Sequence, residues 1–206
     1  LIKKILPKGE YVSEKYYLNS IKVDISEKNL NKFNLLINKF ICVQYGVSHG
    51  SLTPKIWSEE KITNLIDLLS QNSKVVILGN SKDRNLNSIF QNKSNVCNLI
   101  GKTSMNDLVA LLKFSNCNIC FDSGIMHLSD ALNSKLIAIF GPTNIKKNIP
   151  RNHNSHVIFK SFSCSPCIKG WNFDPEYISE KEAYFACKNN FSCMNSISNK
   201  EILKLI

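Results

Sequence analysis

From residue 40 onward, short apolar runs rich in β-branched residues alternate with longer stretches whose apolar residues recur at helical spacing. That alternation is the strongest constraint on the chain. Strands separated by helix-length crossovers pair in parallel, and a parallel sheet needs cover on both faces. The runs predict strands over Phe40–Tyr45, Val75–Leu78, Val96–Leu99, Asn118–Phe121, Leu136–Phe140 and Val157–Phe159. The periodic stretches predict helices over Glu59–Ser70, Arg84–Gln91, Met105–Phe114 and Met126–Leu132. No internal repeat is visible. At 206 residues the chain is long enough for one domain with a sizeable core.

The expected fold is therefore α/β, a Rossmann-like parallel sheet with helices on both faces, filling residues 40–160. Residues 1–39 read as a linker segment ending in a short helix. Residues 161–206 read as a cysteine-rich loop and a closing helix over Glu201–Ile206, part of the same domain. The chain begins with Leu1, as a processed product or a fragment would. Its first residues lack the pattern of a secretory signal, and no apolar run reaches bilayer length, so a cytoplasmic location is expected.

In such a sheet ligands bind beyond the carboxyl ends of the strands. The first five predicted strands are followed by GVSHGSLTPKIW, GNSKD, GKTSM, DSGIMH and GPTN, each with glycine or small polar residues that let a ligand approach the backbone. In the fourth, Asp122 or Ser123 can cap the next helix, leaving free N–H groups and the positive end of its dipole toward the crevice. A diphosphate suits that place, with Gly124 admitting it and His127 donating to one of its oxygens. The same residues also make an ordinary capped turn, and that alternative stands beside the first. Lys55 offers a point charge to a diphosphate, and Asp83 is placed to bond ribose hydroxyls or to cap a helix. No G-x-G-x-x-G follows any strand, which argues against a nicotinamide or flavin dinucleotide.

The motifs KIW, GKTSMNDLVALL, DSGIMHLSDAL, IAIFGPT and CSPC with a later CM, spread from about Tyr45 to Met194, together resemble the C-terminal domain of glycosyltransferase family 9, the ADP-heptose:lipopolysaccharide heptosyltransferases and their relatives. The resemblance implies the donor half of a two-domain GT-B fold, binding an ADP-sugar such as ADP-heptose. The other half would hold a glycan or protein acceptor and the general base. It places Asp122, Ser123, Gly124 and His127 around the diphosphate and sugar, Lys55 against the phosphates, Thr103 beside the adenine and Asp83 at the ribose. Gly50 and Ser51 stand where the family has threonines. Lys55 and Asp122 are the catalytic candidates in an inverting transfer that needs no cofactor. The N-terminal acceptor domain would have to be supplied in cis or in trans.

Of the eight cysteines, Cys117 and Cys120 lie three apart on a predicted strand and so point to opposite faces, where they cannot easily share a metal. With Cys42 and Cys97 they read as small buried hydrophobes. Cys164 and Cys167 flank Ser-Pro, and Cys187 and Cys193 follow in a stretch with little helix or strand pattern. These four suit a tetrahedral zinc or iron site, free structural thiols or disulfides; a reducing compartment disfavours the last. Some relatives in the resembling family hold iron in a similar cysteine finger.

The net charge of +10 comes almost wholly from lysine, since Arg84 and Arg151 are the only arginines. Base-reading and stacking nucleic-acid binders use arginine and interleaved aromatics, so nucleic acid is not an expected partner. A solvated surface or contact with an anionic membrane at the inner face of a bacterial inner membrane accounts for the charge. Two other readings remain: a basic, cysteine-stapled binding module, and a donor-binding pseudoenzyme.

Overall fold

A computed structural model of the chain describes residues 26–46, 53–80, 90, 93–168 and 178–206. Its centre is a six-stranded sheet of β1 (Phe40–Gln44), β2 (Lys74–Leu78), β3 (Val96–Asn98), β4 (Cys117–Phe121), β5 (Leu136–Phe140) and β6 (Ser155–Phe159). Every pairing is parallel and the spatial order is β3-β2-β1-β4-β5-β6. The order reverses between β1 and β4, and that topological switch point opens a crevice at the carboxyl ends. All strands occur where the apolar runs predict them; β5 matches at both ends and the others differ by one or two residues at an end. β6 starts at Ser155 rather than Val157 because this edge strand is only half-buried, so its polar first residues gave no apolar signal.

Helices cover both faces. On one, Ile41, Val43, Val75, Ile77, Ile119, Ile137 and Ile139 pack against Ile62, Leu65, Ile66 and Leu69 of α2 (Glu59–Ser70). On the other, Phe40, Cys42, Val76 and Leu78 meet α3 (Met105–Phe114) through Val109, Ala110, Leu111 and Leu112. Leu30 of α1 (Lys28–Asn31) joins this second core. Alternation along the strands sorts the two sets, so Cys117 falls in the first core and Cys120 on the opposite face, with Met126. Cys42, Cys117 and Cys120 are buried; Cys97, expected to be, is only half-buried because β3 is an edge strand.

The predicted Met126–Leu132 helix is α4, running Gly124–Ala131. It starts earlier because Ser123, not an apolar residue, sets the first turn: its hydroxyl accepts from the N–H of Met126 at 3.4 Å. Within β4, Asn118 is fully buried and satisfied. Its amide donates to the Leu112 carbonyl at 2.9 Å and to Ser129 Oγ at 3.0 Å, and its carbonyl accepts from Ser115 Oγ at 2.9 Å. One side chain thus ties β4 to α3 and α4.

The cysteine-rich stretch corrects its expectation. Rather than lacking regular structure, its described part holds α6 (Glu180–Phe185) and α7 (Ser192–Asn195), and α5 (Ile145–Asn148) follows β5. Helices of four to six residues are too short to show a periodic pattern. The closing helix α8 spans Asn199–Leu203 instead of Glu201–Ile206, because Ser198 and Glu201 form a capping box. The predicted helix over Arg84–Gln91 lies outside the described residues, apart from Phe90, which packs edge-on against Tyr45. No described helix is long and apolar enough to cross a membrane.

Candidate functional site

The crevice at the switch point is built around Gln44, the last residue of β1. Its side chain is 2% exposed, and its carbonyl oxygen accepts from the Phe121 N–H at 3.2 Å and from the Ser123 hydroxyl at 2.8 Å. Its amide donates to the Gly46 carbonyl at 2.6 Å. Gln44 therefore clamps the exit of β4 to that of β1. The signal was a polar residue ending an otherwise apolar strand, FICVQ, but nothing in the sequence paired it with Ser123.

Ser123 spends its hydroxyl proton on Gln44 and its lone pair on the Met126 N–H, so it is both clamp and helix cap. The Gly124 and Ile125 N–H groups have no partner among the described residues. They are the free donors that a helix start leaves over, at the positive end of its dipole. A Cβ built on Gly124 would meet nothing within 4 Å. Packing does not require glycine there; space beside the free N–H groups is kept open.

Asp122 is 5% exposed. One carboxylate oxygen accepts from Asn148 Nδ2 at 2.9 Å, and the other lies 3.8 Å from Nε2 of the exposed His127. The second separation is beyond a hydrogen bond but within ion-pair reach. The structure thus brings Asp122, Ser123, Gly124 and His127 together on one strand-to-helix turn. Asn148, one helical turn beyond the α5 cap Asn144, is a neighbour that sequence reasoning missed.

The other candidates sit on neighbouring strand ends. Lys55 is half-buried in the turn that leads to α2, its N–H donating to Thr53 Oγ1 at 3.2 Å. Thr103 is half-buried just before the Ser104 cap of α3. It follows β3, which is separated from β4 by β2 and β1. Three strand spacings, about 14 Å, thus lie between the Thr103 loop and the Ser123 turn. The backbone stitches these exits together: Tyr45 N–H bonds the Leu78 carbonyl at 2.8 Å, and Gly101 N–H bonds the Gly79 carbonyl at 3.1 Å. Gly50, Ser51 and Asp83 lie outside the described residues.

The cysteine segment packs onto the loop that follows β5. Pro142 accepts from the N–H groups of Cys167 at 2.8 Å and Ile168 at 3.1 Å, and the Gly141 carbonyl accepts from Ser165 Oγ at 3.2 Å. A Cβ on Gly141 would come within 2.9 Å of Met194 Cγ and 3.1 Å of Cys193 Sγ, so here the glycine is required by close approach. Beyond Met194 the segment is latched by Trp57, whose indole N–H bonds the Met194 carbonyl at 3.0 Å, and by Lys61, which bonds the Met194 and Asn195 carbonyls at 3.2 and 2.7 Å. Trp57 also meets Phe121 edge-on at 6.0 Å.

Cys164, Cys167 and Cys187 line one pocket, and all four cysteines are close enough to influence one another. Burial, reinforced by Cys164, Cys193 and Cys187, pushes the Cys167 thiol up to about 11. Four thiols have the donor chemistry for zinc or iron. Yet no group of three or more His, Cys, Asp or Glu among the described residues is arranged to hold a metal ion. The cysteines are free thiols in this structure.

A family model described as glycosyltransferase family 9 (heptosyltransferase) matches residues 13–177. The chain is 30% identical over 166 residues to lipooligosaccharide heptosyltransferase 2 of Campylobacter jejuni, covering 77% of this chain and 52% of that protein. To lipopolysaccharide heptosyltransferase 2 of Escherichia coli it is 31% identical over 97 residues, 44% of this chain and 28% of that protein. Among solved structures, E. coli ADP-heptose lipopolysaccharide heptosyltransferase II aligns with a TM-score of 0.64 at 21% identity, over 97% of this chain and 54% of that one. The iron-containing dodecameric glycosyltransferase TibC of enterotoxigenic E. coli aligns with a TM-score of 0.59 at 17% identity, over 83% and 45%. These distant likenesses agree on the fold. The chain spans about half the length of the Campylobacter relatives. With most of its residues matched by the family model, this chain belongs to glycosyltransferase family 9, the heptosyltransferases.

Proposed function

We propose that this chain is the nucleotide-sugar-binding half of an inverting heptosyltransferase, one that takes its sugar from an ADP-heptose donor. The observation that carries the reading is the turn after β4. Two N–H groups without protein partners and an open space at Gly124 lie at the topological switch point, where an anionic diphosphate is favoured over any neutral ligand. The TibC relative has been solved with ADP-D-β-D-heptose, which agrees with a donor of this class.

In the transfer, an acceptor hydroxyl attacks the anomeric carbon from the face opposite the diphosphate. The bond from that carbon to the diphosphate oxygen breaks, and its electron pair leaves with ADP. Charge grows on the leaving oxygen, where the α4 N–H groups, His127 and Lys55 give the most stabilisation. Asp122 positions His127, held in turn by Asn148. Thr103 and Asp83 serve the nucleoside end, with Gly50 and Ser51 as further donor contacts. The proton of the acceptor hydroxyl goes to a base on an N-terminal acceptor domain, supplied in cis or in trans. The acceptor is a glycan of the lipopolysaccharide core, which a chain of net charge +10 meets at an anionic membrane face. The proposed transfer needs no metal; the four C-terminal cysteines have the donor chemistry for a structural zinc or iron but are not arranged around one.

The test is calorimetric titration of the purified chain with ADP, UDP, GDP and ADP-heptose, alongside a transfer assay. Binding of ADP and ADP-heptose in preference to the other nucleotides, with transfer appearing only once an acceptor domain is added, is expected. A chain that ignores ADP, or that transfers heptose unaided, would sink the reading.

A further inference from the structure

From Ala131 to Phe173 the sequence contains none of the chain's 16 acidic residues, while Lys146, Lys147 and Arg151 lie close together within that stretch. The fold turns this bias into a surface. After β5 the chain passes through α5 and then runs alongside α4, tied to it at both ends. Asn148 Nδ2 donates to Asp122, just before α4 begins, and the N–H groups of Arg151 and Asn152 donate to Asp130, in its last turn, at 2.9 and 2.8 Å. Pro150 is buried between these ties. The side chains of Lys146, Lys147, Ile149 and Arg151 are left to solvent, Ile149 being 44% exposed. They form a strip that starts at the mouth of the crevice and follows α4 away from it.

Elsewhere carboxylates neutralise lysines: Lys32 pairs with Asp107, Lys93 with Asp67 and Lys160 with Glu201. Among the described residues no carboxylate pairs with Lys146, Lys147 or Arg151. The two acids that hold the strip are engaged with Asn148 and with backbone N–H groups. A partner for this surface must be anionic and must also accept an apolar side chain among its charges. Nucleic acid is met by arginine forks and stacking rings, and the strip has one arginine and no ring. An anionic bilayer suits both features. Its headgroup phosphates take the cations, whose methylene stems lie along the surface, and Ile149 enters the boundary of the acyl chains.

We infer that the strip of Lys146, Lys147, Ile149 and Arg151 docks on anionic membrane lipids and places the crevice at the start of α4 beside the bilayer surface. It rests on the reading above only in that the acceptor is carried by a membrane, and it names the surface behind a contact that net charge alone suggests. Asn148 belongs to the same short helix as Lys146 and Lys147 and touches Asp122, so lipids held by this helix lie next to the crevice.

The test is sedimentation of the purified chain with vesicles of phosphatidylglycerol and phosphatidylethanolamine, against vesicles of phosphatidylcholine. Binding to the anionic vesicles alone, weakening as salt is raised, is expected. Each cation near an anionic surface strengthens binding about fivefold, so the triple variant Lys146→Gln, Lys147→Gln, Arg151→Gln is expected to bind about a hundredfold more weakly. Ile149→Ser should lose about fivefold through apolar area no longer buried. A second triple variant, Lys28→Gln, Lys39→Gln, Lys204→Gln, removes the same charge from exposed lysines elsewhere and should stay within about threefold of wild type, since those charges are screened from the docked face. Equal losses in the two triple variants overturn the inference, because net charge and not the strip would then be responsible. So does a wild-type chain that ignores anionic vesicles, or one that binds duplex DNA more tightly than vesicles and loses this in the strip variant. All the substituted side chains are exposed, so melting temperatures should match wild type; a strip variant that melts lower shows the strip engaged within the fold and also overturns it. Vesicle binding by a chain that does not take ADP removes the donor reading and leaves this inference standing, and ADP binding without vesicle binding does the reverse.

Discussion

The Ser123 hydroxyl donates to the side-chain carbonyl of Gln44 at 2.8 Å, joining residues 79 positions apart across the switch point of the sheet. The same carbonyl holds the Phe121 N–H. One buried amide therefore decides where β4 ends and where α4 begins, and with it the place of the free N–H groups. Because Gln44 has no exposed surface to speak of, water cannot replace it.

Gln44→Leu should leave the Ser123 hydroxyl and the Phe121 N–H unsatisfied in an apolar setting. A loss of about 1–3 kcal/mol is expected. Urea denaturation checks the stability, and ADP titration at a temperature where the variant is still folded should show weaker binding as well.

His127 is exposed, so its truncation should not harm the fold. His127→Ala is expected to weaken ADP binding by about 1–3 kcal/mol, the range for a hydrogen bond to a charged group, with an unchanged melting temperature. Lys55→Ala should weaken it too, but its effect should shrink as salt is raised, because a half-exposed charge is screened. Calorimetry at two ionic strengths separates the two.

Two glycines should respond in opposite ways. Gly141→Ala drives a methyl group against Met194 and Cys193 and should destabilise the protein by about 1–3 kcal/mol. Gly124→Ala meets nothing, and alanine is the better helix former, so stability should hold or rise while ADP affinity falls. Thermal melts with and without ADP distinguish them.

Glu201 is held down at about 2 by Lys160, 2.5 Å away, and by the N–H and hydroxyl of Ser198. Its folded-state value lies below the ordinary one of 4.5. The charged form is therefore the one the fold favours, and the stability it adds is complete above that ordinary value and lost as pH falls toward about 2. Denaturation curves across this window should fall less steeply for Glu201→Gln than for wild type.

Hydrophobic periodicity determined the sheet. Six apolar runs separated by helix-length stretches leave a parallel, two-sided arrangement as the economical way to bury them, and the six strands lie where those runs are. The same logic put Asp122, Ser123, Gly124 and His127 on a strand exit, since a residue's place along a strand is a local property. Tertiary structure decided the rest. Gln44 meets Ser123 only because β4 pairs beside β1, and Asn148 reaches Asp122 only because β5 lies beside β4. The short helices α5, α6 and α7 carry too few residues for a period to show; side-chain caps hold α5 and α6, and α7, which has none, relies on contacts with distant segments. The Pro142 carbonyl accepts from Cys167, and Trp57 donates to the Met194 carbonyl across 137 positions. Those are unions of polar groups that each look ordinary in their own stretch of sequence. Only packing shows which of them meet.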